Sequence, residues 1–156
     1  MNFKYQLMSK NKFDKGGLKK FIMEVNFDLP IPITDKIDID VFLDKIRNFG
    51  EAYCVYDQEK IIGCAFFYAN DKINKQAFLT LFAVKREYRN CGIGCILLEH
   101  MIDYCDGLGF EYLQLYTHKT NKKARSFYSR KYFYEIDCDR ENDVKLELKL
   151  GRSNGI

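Results

Sequence analysis

The chain has 156 residues, 47% hydrophobic and 30% charged, which is the makeup of one globular domain with a proper core. A net charge of +3 lacks the basic excess of nucleic-acid binders, and no apolar run approaches the roughly 18 residues that a membrane span needs. Six cysteines (Cys54, Cys64, Cys91, Cys95, Cys105, Cys138) form no C-x-x-C pair, and His100 and His118 lie off zinc-finger spacing, so neither a disulfide framework nor a metal site is expected. Met1 to Ser9 has no apolar stretch of the signal-peptide kind, and the free thiols predict a reducing, cytoplasmic setting.

In chain order, the first strand is predicted over Phe3 to Leu7. A helix follows from Leu18 to about Val25, with Phe21, Ile22 and Val25 on one face. Asp28 to Thr34 (DLPIPIT) is not helical, because its two prolines remove donors and stiffen the chain. A second helix fits Asp40 to Asn48, with Val41, Leu43 or Asp44, Ile46 and Phe49 as a mixed face and Gly50 as its stop. Ala52 to Tyr56, Lys60 to Ala69 and Gln76 to Val84 are aromatic and β-branched, separated by short polar turns, and read as antiparallel strands.

A long helix spans Cys95 to Cys105, with Ile96, Leu97, Met101, Ile102, Cys105 and Leu108 at helical spacing and a glycine-rich stop at Asp106 to Gly109. Tyr112 to His118 is a strand, Asn121 to Arg130 a short helix, and Phe133 to Cys138 and Val144 to Leu150 the last two strands. The order gives an α+β (mixed α/β) fold around one mainly antiparallel sheet of about seven strands with about four helices. Residues 1–150 form a single domain, and 151–156 a flexible tail.

The segment that carries chemistry is Leu81 to Gly94, LFAVKREYRNCGIG: an apolar strand, a glycine loop, and a helix that begins at once. Glycines let backbone approach a phosphate, successive N–H groups form a nest, and the helix N-terminus adds about half a positive charge. Arg89 adds a formal one. A Walker loop is excluded because no Lys-Ser or Lys-Thr follows a glycine pair. A dinucleotide fingerprint is excluded because Leu97 stands where a third small residue is needed.

The R-x-x-G-x-G of Arg89 to Gly94 resembles motif A of the GCN5-related N-acetyltransferases, and Asn121 to Tyr128 (NKKARSFY) is similar to that family's N-x-x-A-x-x-[FL]-Y segment. The order of strands and helices from Phe3 to about Leu150 matches the family fold as well. The resemblance implies acetyl-CoA as cosubstrate, no metal, and direct transfer of an acetyl group to an amine. It implies that Phe82, Ala83 and Val84 line the pantetheine arm, with backbone groups of Phe82 and Val84 pairing with it, and that this strand bulges and splays from the next one so that the Val84 N–H polarises the thioester carbonyl. Arg89, Asn90, Cys91, Gly92, Ile93 and Gly94 hold the pyrophosphate, Asn121 touches the pantetheine side, and Tyr128 protonates the departing thiolate. A thiol of pKa about 8.5 and a phenol near 10 can share a proton in a dry cleft.

Two departures stand out. Tyr132 occupies a position where the family usually has glycine, and the fourth strand carries no glutamate base, which leaves the base open among a relayed water, His118 and none. His118 itself reads first as a surface or hydrogen-bonded residue, and His100 as structural. Cys91 and Cys95, at a helix N-terminus, are expected to react with thiol reagents but not to act in catalysis. The acid-free run Lys119 to Lys131 is either a solvated face or an attraction for the cofactor's 3′-phosphate.

Asp28, Asp35, Asp38, Asp40 and Asp44 fall where the family covers its acceptor, which predicts a small cationic acceptor such as an aminoglycoside, amino sugar or polyamine. A peptide amine (a protein N-terminus or lysine) is the alternative, and a non-catalytic acyl-CoA-binding module, favoured by the missing glutamate, is another. Nucleic acid and membrane are not expected partners; a homodimer is, by analogy with the family.

Overall fold

Alternating apolar residues and four amphipathic stretches build a seven-stranded sheet and four α-helices in the computed structural model, which describes residues 2–29 and 31–151. The elements are β1 (Lys4–Leu7), α1 (Lys15–Val25), α2 (Ile39–Phe49), β2 (Glu51–Asp57), β3 (Lys60–Asp71), β4 (Gln76–Val84), α3 (Ile93–Gly107), β5 (Tyr112–His118), α4 (Lys122–Arg130), β6 (Tyr134–Ile136) and β7 (Asp143–Lys149). The sheet order is β1-β2-β3-β4-β5-β7-β6, and every neighbouring pair is antiparallel except β4 with β5. This is the expected fold class. The tail predicted from 151 lies almost wholly outside the described residues.

The strands carry two cores because their side chains alternate between faces. On one face, α3 and α4 cover Phe67, Leu79, Leu113, Leu115 and Leu146. On the other, α1 and α2 cover Cys54, Cys64 and Phe66. The buried face of α2 is Ile39, Phe42, Leu43 and Ile46, spaced i, i+3, i+4, i+7. The expected Val41 and Phe49 are exposed instead, as are Ile96 and Leu108 on and after α3.

Gly50 does end α2, though not through a left-handed cap, since its φ is −119°. It is needed for closeness: a Cβ there would lie 2.9 Å from the Phe67 carbonyl oxygen. Among the described residues, no helix is long and apolar enough to cross a membrane.

One irregularity shapes everything that follows. Phe66 pairs with Leu81 but Phe67 pairs with Leu79, so Thr80 is an extra residue in β4. A bulge of this kind shifts the phase of the side chains. Before it, Ala77 and Leu79 face α3; after it, Leu81 and Ala83 face α1 and α2, while Phe82 and Val84 face α3. The bulge also turns β4 away from β5. The two pair in parallel only over Gln76–Leu79 and Tyr112–Leu115, and beyond that point β5 pairs with β7 alone.

Candidate active site

The opening left by this splay is a cleft of about 180 Å³, lined by Leu79 to Phe82 of β4, Leu115 to His118 of β5, and Asn121, Ala124 and Tyr128 of α4. Its backbone is chemically open. The Lys85 N–H donates to the Ile62 carbonyl, 2.8 Å. Antiparallel alternation then turns Ala83 toward β3 and turns the N–H groups of Phe82 and Val84 away from it, into the opening. The Val84 carbonyl confirms the direction, since it accepts from Arg89 Nε at 2.9 Å rather than from β3.

The glycine loop closes one end. Asn90 and Gly92 both have left-handed backbone, with φ of 63° and 86°. A Cβ at Gly92 would meet nothing within 4 Å, so the loop faces open space, and the glycine is required for its φ and not for room. The helix beyond is uncapped. Asp14, Asp38 and Asn121 each cap their helix through a side chain, whereas α3 has no side-chain cap. The first helical bond runs from Ile96 N–H to the Gly92 carbonyl, 3.1 Å. The N–H groups of Ile93, Gly94 and Cys95 therefore have no partner among the described residues.

Arg89 is held differently from the expectation that its charge serves the loop directly. Its guanidinium is bonded to the Val84 carbonyl and to Asp28, 2.7 Å, and Asp28 also takes Arg86 at 2.8 Å. Asp28 is thus the joint between the segment after α1 and the loop before α3. A second joint lies beside it. Lys85, 3% exposed, is paired with Glu24 of α1, and that bond holds the Glu24 carboxyl below the usual carboxylate range against a smaller opposing effect of burial.

Tyr128 stands in an aromatic cage, with ring centroids 5.2 Å from Phe127, 5.2 Å from Phe133 and 6.5 Å from Phe82. Phe127 also lies 3.9 Å from where a Gly94 Cβ would be, so α4 abuts the start of α3. The Tyr128 hydroxyl makes no hydrogen bond among the described residues, and none of their buried polar side-chain atoms is left unsatisfied, so the oxygen reaches the open cleft. Burial pushes its phenol above the ordinary value.

Asn121 lines the cleft, but its Oδ1 accepts from the Ala124 N–H at 3.2 Å, leaving only Nδ2 for a ligand. His118 lines the cleft, and its Nδ1 is engaged within its own turn, 3.2 Å from the Thr120 N–H and 2.7 Å from the Thr120 hydroxyl. His100 lies elsewhere, stacked on Tyr5 at 5.0 Å.

The other end of the cleft falls in the region that the sequence reading assigned to the acceptor, but mainly apolar side chains form it where aspartates were expected. Leu29, Ile33, Lys36, Ile37 and Phe42 form it. Two short 3-10 turns, Asn26–Asp28 and Ile33–Asp35, carry or flank the first four of these residues, and Phe42 comes from α2. Asn26, 1% exposed, staples the segment by bonding both the N–H and the hydroxyl of Thr34 at 3.0 Å. The signal available was the alternation of apolar residues around the prolines of Asp28 to Thr34.

The aspartates predicted to meet a cation are mostly engaged: Asp28 with the two arginines, Asp38 as a helix cap, Asp40 with Lys15 and Lys19, Asp44 with Lys15. Tyr132 has φ of 71°, so this chain keeps a glycine-like turn with a tyrosine in it.

Comparison with known proteins decides the family. The sequence profile described as "Acetyltransferase (GNAT) family" matches residues 20–133. The chain belongs to the GNAT acetyltransferase family. This acetyltransferase shares its fold with a GNAT-family acetyltransferase from Staphylococcus aureus Mu50, at 22% identity and a TM-score of 0.76, covering 96% of this chain and 99% of that one. It is similar to the ribosomal-protein-S18-alanine N-acetyltransferase of Escherichia coli (18%, TM-score 0.77, 96% and 94% covered). A third similar structure is the PaiA N-acetyltransferase of Thermoplasma acidophilum in complex with coenzyme A (19%, TM-score 0.74, 96% and 99% covered). No curated protein matches this acetyltransferase significantly.

Proposed function

We propose that this acetyltransferase moves an acetyl group from acetyl-CoA to a primary amine, with Tyr128 as the general acid. The observation that carries the reading is the splay of β4 from β5, which leaves the N–H groups of Phe82 and Val84 without a strand partner among the described residues, beside a tyrosine hydroxyl that makes no hydrogen bond among them. The donors present fit the cosubstrate. The curled backbone of Arg89 to Gly94 and the uncapped N–H groups of Ile93, Gly94 and Cys95 suit a pyrophosphate. Phe82, Ala83 and Val84 form a strand edge that suits the amides of a pantetheine arm, and Asn121 Nδ2 borders the same space. Lys122 and Lys123 at the start of α4 are exposed and available to the 3′-phosphate. The similar PaiA enzyme was solved with coenzyme A, which supports the same cosubstrate here. The free thiols suit a reducing compartment such as the cytoplasm.

Bound acetyl-CoA supplies the activated acetyl thioester. The Val84 N–H donates toward the carbonyl oxygen, where negative charge grows as the amine attacks. Tyr128 gives its proton to sulfur as the C–S bond breaks and the C–N bond forms, and solvent restores that proton. The raised Tyr128 pKa keeps the proton in place at neutral and mildly alkaline pH. His118 lines the same cleft on the β5 side. Loss of the ammonium proton falls to solvent before attack.

Calorimetric titration with acetyl-CoA tests the reading. Micromolar binding by the wild type, lost by more than about a hundredfold in Gly92→Glu, is expected, because that change puts a strained side chain and a negative charge into the phosphate nest. Absence of binding by the folded wild type would falsify it.

A further inference from the structure

Resting on that reading, we infer that the acceptor is a primary amine carried on a short apolar body with a carboxylate close to the amine, and not a polycation. The acceptor end of the cleft is a wall of Leu29, Ile33, Ile37 and Phe42. None of the described residues lining the cleft is acidic, and the one formally charged side chain is Lys36. Lys36 forms no ion pair or side-chain hydrogen bond among the described residues, and it is exposed at the rim.

A polyamine or aminoglycoside brings further cations into such a cleft. Each would lose water without gaining an anionic partner, beside a lysine of like charge. The neighbouring aspartates offer little relief: Asp28, Asp38, Asp40 and Asp44 already serve the partners named above, and Asp35, exposed on its turn, does not line the cleft. A leucine-like α-amine reverses every term. Its alkyl group buries against Ile33, Ile37 and Phe42, and its carboxylate finds Lys36 at the rim. The volume agrees: about 180 Å³ is below the range of drug-sized pockets and must also hold the thioester, so the body is short. The same chemistry arises from a free apolar amino acid or from a peptide whose apolar first residue is followed by an acidic one.

The test is acetyl-CoA-dependent thiol release with L-leucine, leucinamide, spermidine and a peptide beginning Leu-Glu, in the wild type and in Lys36→Glu. In the wild type, leucine or the peptide is expected to exceed spermidine in kcat/KM at least about tenfold, and the better of the two identifies the source of the acceptor. The ratio of leucine to leucinamide is expected to fall about tenfold in Lys36→Glu. Amine basicity cancels in that comparison, since both enzymes see the same two amines. Preference for spermidine, failure to use either apolar amine, or an unchanged ratio in Lys36→Glu overturns the inference. If acetyl-CoA still binds by calorimetry, those results leave the family reading standing; if it does not bind, both fall together.

Discussion

The two ends of the cleft are made of different material. The end proposed for the cofactor is backbone: the N–H groups of Phe82 and Val84, the left-handed turns at Asn90 and Gly92, and the uncapped start of α3. The end proposed for the acceptor is side chain: Leu29, Ile33, Lys36 and Ile37, in and beside short 3-10 turns, and Phe42 of α2. Backbone donors are the same whatever side chains surround them, so the first end suits one invariant ligand. Side chains can change one at a time, so the second is where specificity is set. Tyr128 sits between them, and the Asp28 and Glu24 joints tie them together.

The largest expected effect lies at the boundary. Tyr128→Phe should lower kcat about a hundredfold, with acetyl-CoA affinity and folding stability almost unchanged. The hydroxyl has no bonded partner to lose, so a purely structural tyrosine would leave kcat intact; steady-state kinetics beside urea denaturation separates the two. Next comes the Asp28 joint. Asp28→Asn removes the charge that two arginines share, and is expected to cost about 1 kcal/mol of stability and to raise the acceptor KM severalfold at constant kcat. A change in kcat and none in KM would mean that Asp28 does not position the acceptor wall.

The smallest effect belongs to Glu24. Its carboxyl titrates lower in the folded protein than in the unfolded chain, so its contribution is present above the unfolded value near 4.5 and disappears as pH falls through the folded one. Glu24→Gln should therefore lower the thermal midpoint at pH 7 by the equivalent of about 1 kcal/mol, after allowance for the solvent around a carboxylate that is 36% exposed. The gap between wild type and variant should narrow as pH falls from near 4.5 through the lower folded value. A gap that persists there would assign the effect to packing.

The same division explains what could be read without coordinates. Elements with a regular period declared themselves: β5 runs from Tyr112 to His118 as expected, and the glycine loop was visible as a local motif, whereas Tyr128 stood out only through the family resemblance. The wall at Leu29, Ile33 and Phe42 depends instead on how Asn26 staples Thr34 and where Asp38 starts α2, which are tertiary choices. The buried face of α2 keeps the expected Leu43 and Ile46 but takes Ile39 and Phe42 in place of Val41 and Phe49. The bulge at Thr80 left no mark in composition at all, because any β-former can be the extra residue. Arg89 illustrates a further limit: its charge is legible in sequence, its engagement with Asp28 is not.

The four-residue parallel seam between β4 and β5 has a consequence for the economy of the fold. The sheet behaves as two ribbons stitched over Gln76–Leu79, with an empty lane beside Thr80–Val84. Any molecule that fills this lane acts as an extra strand and favours the folded state by mass action, the more so the further its concentration exceeds its dissociation constant. Durability then becomes a metabolic variable: the enzyme would be sturdiest when its acyl donor is abundant and most vulnerable to unfolding when the donor is scarce.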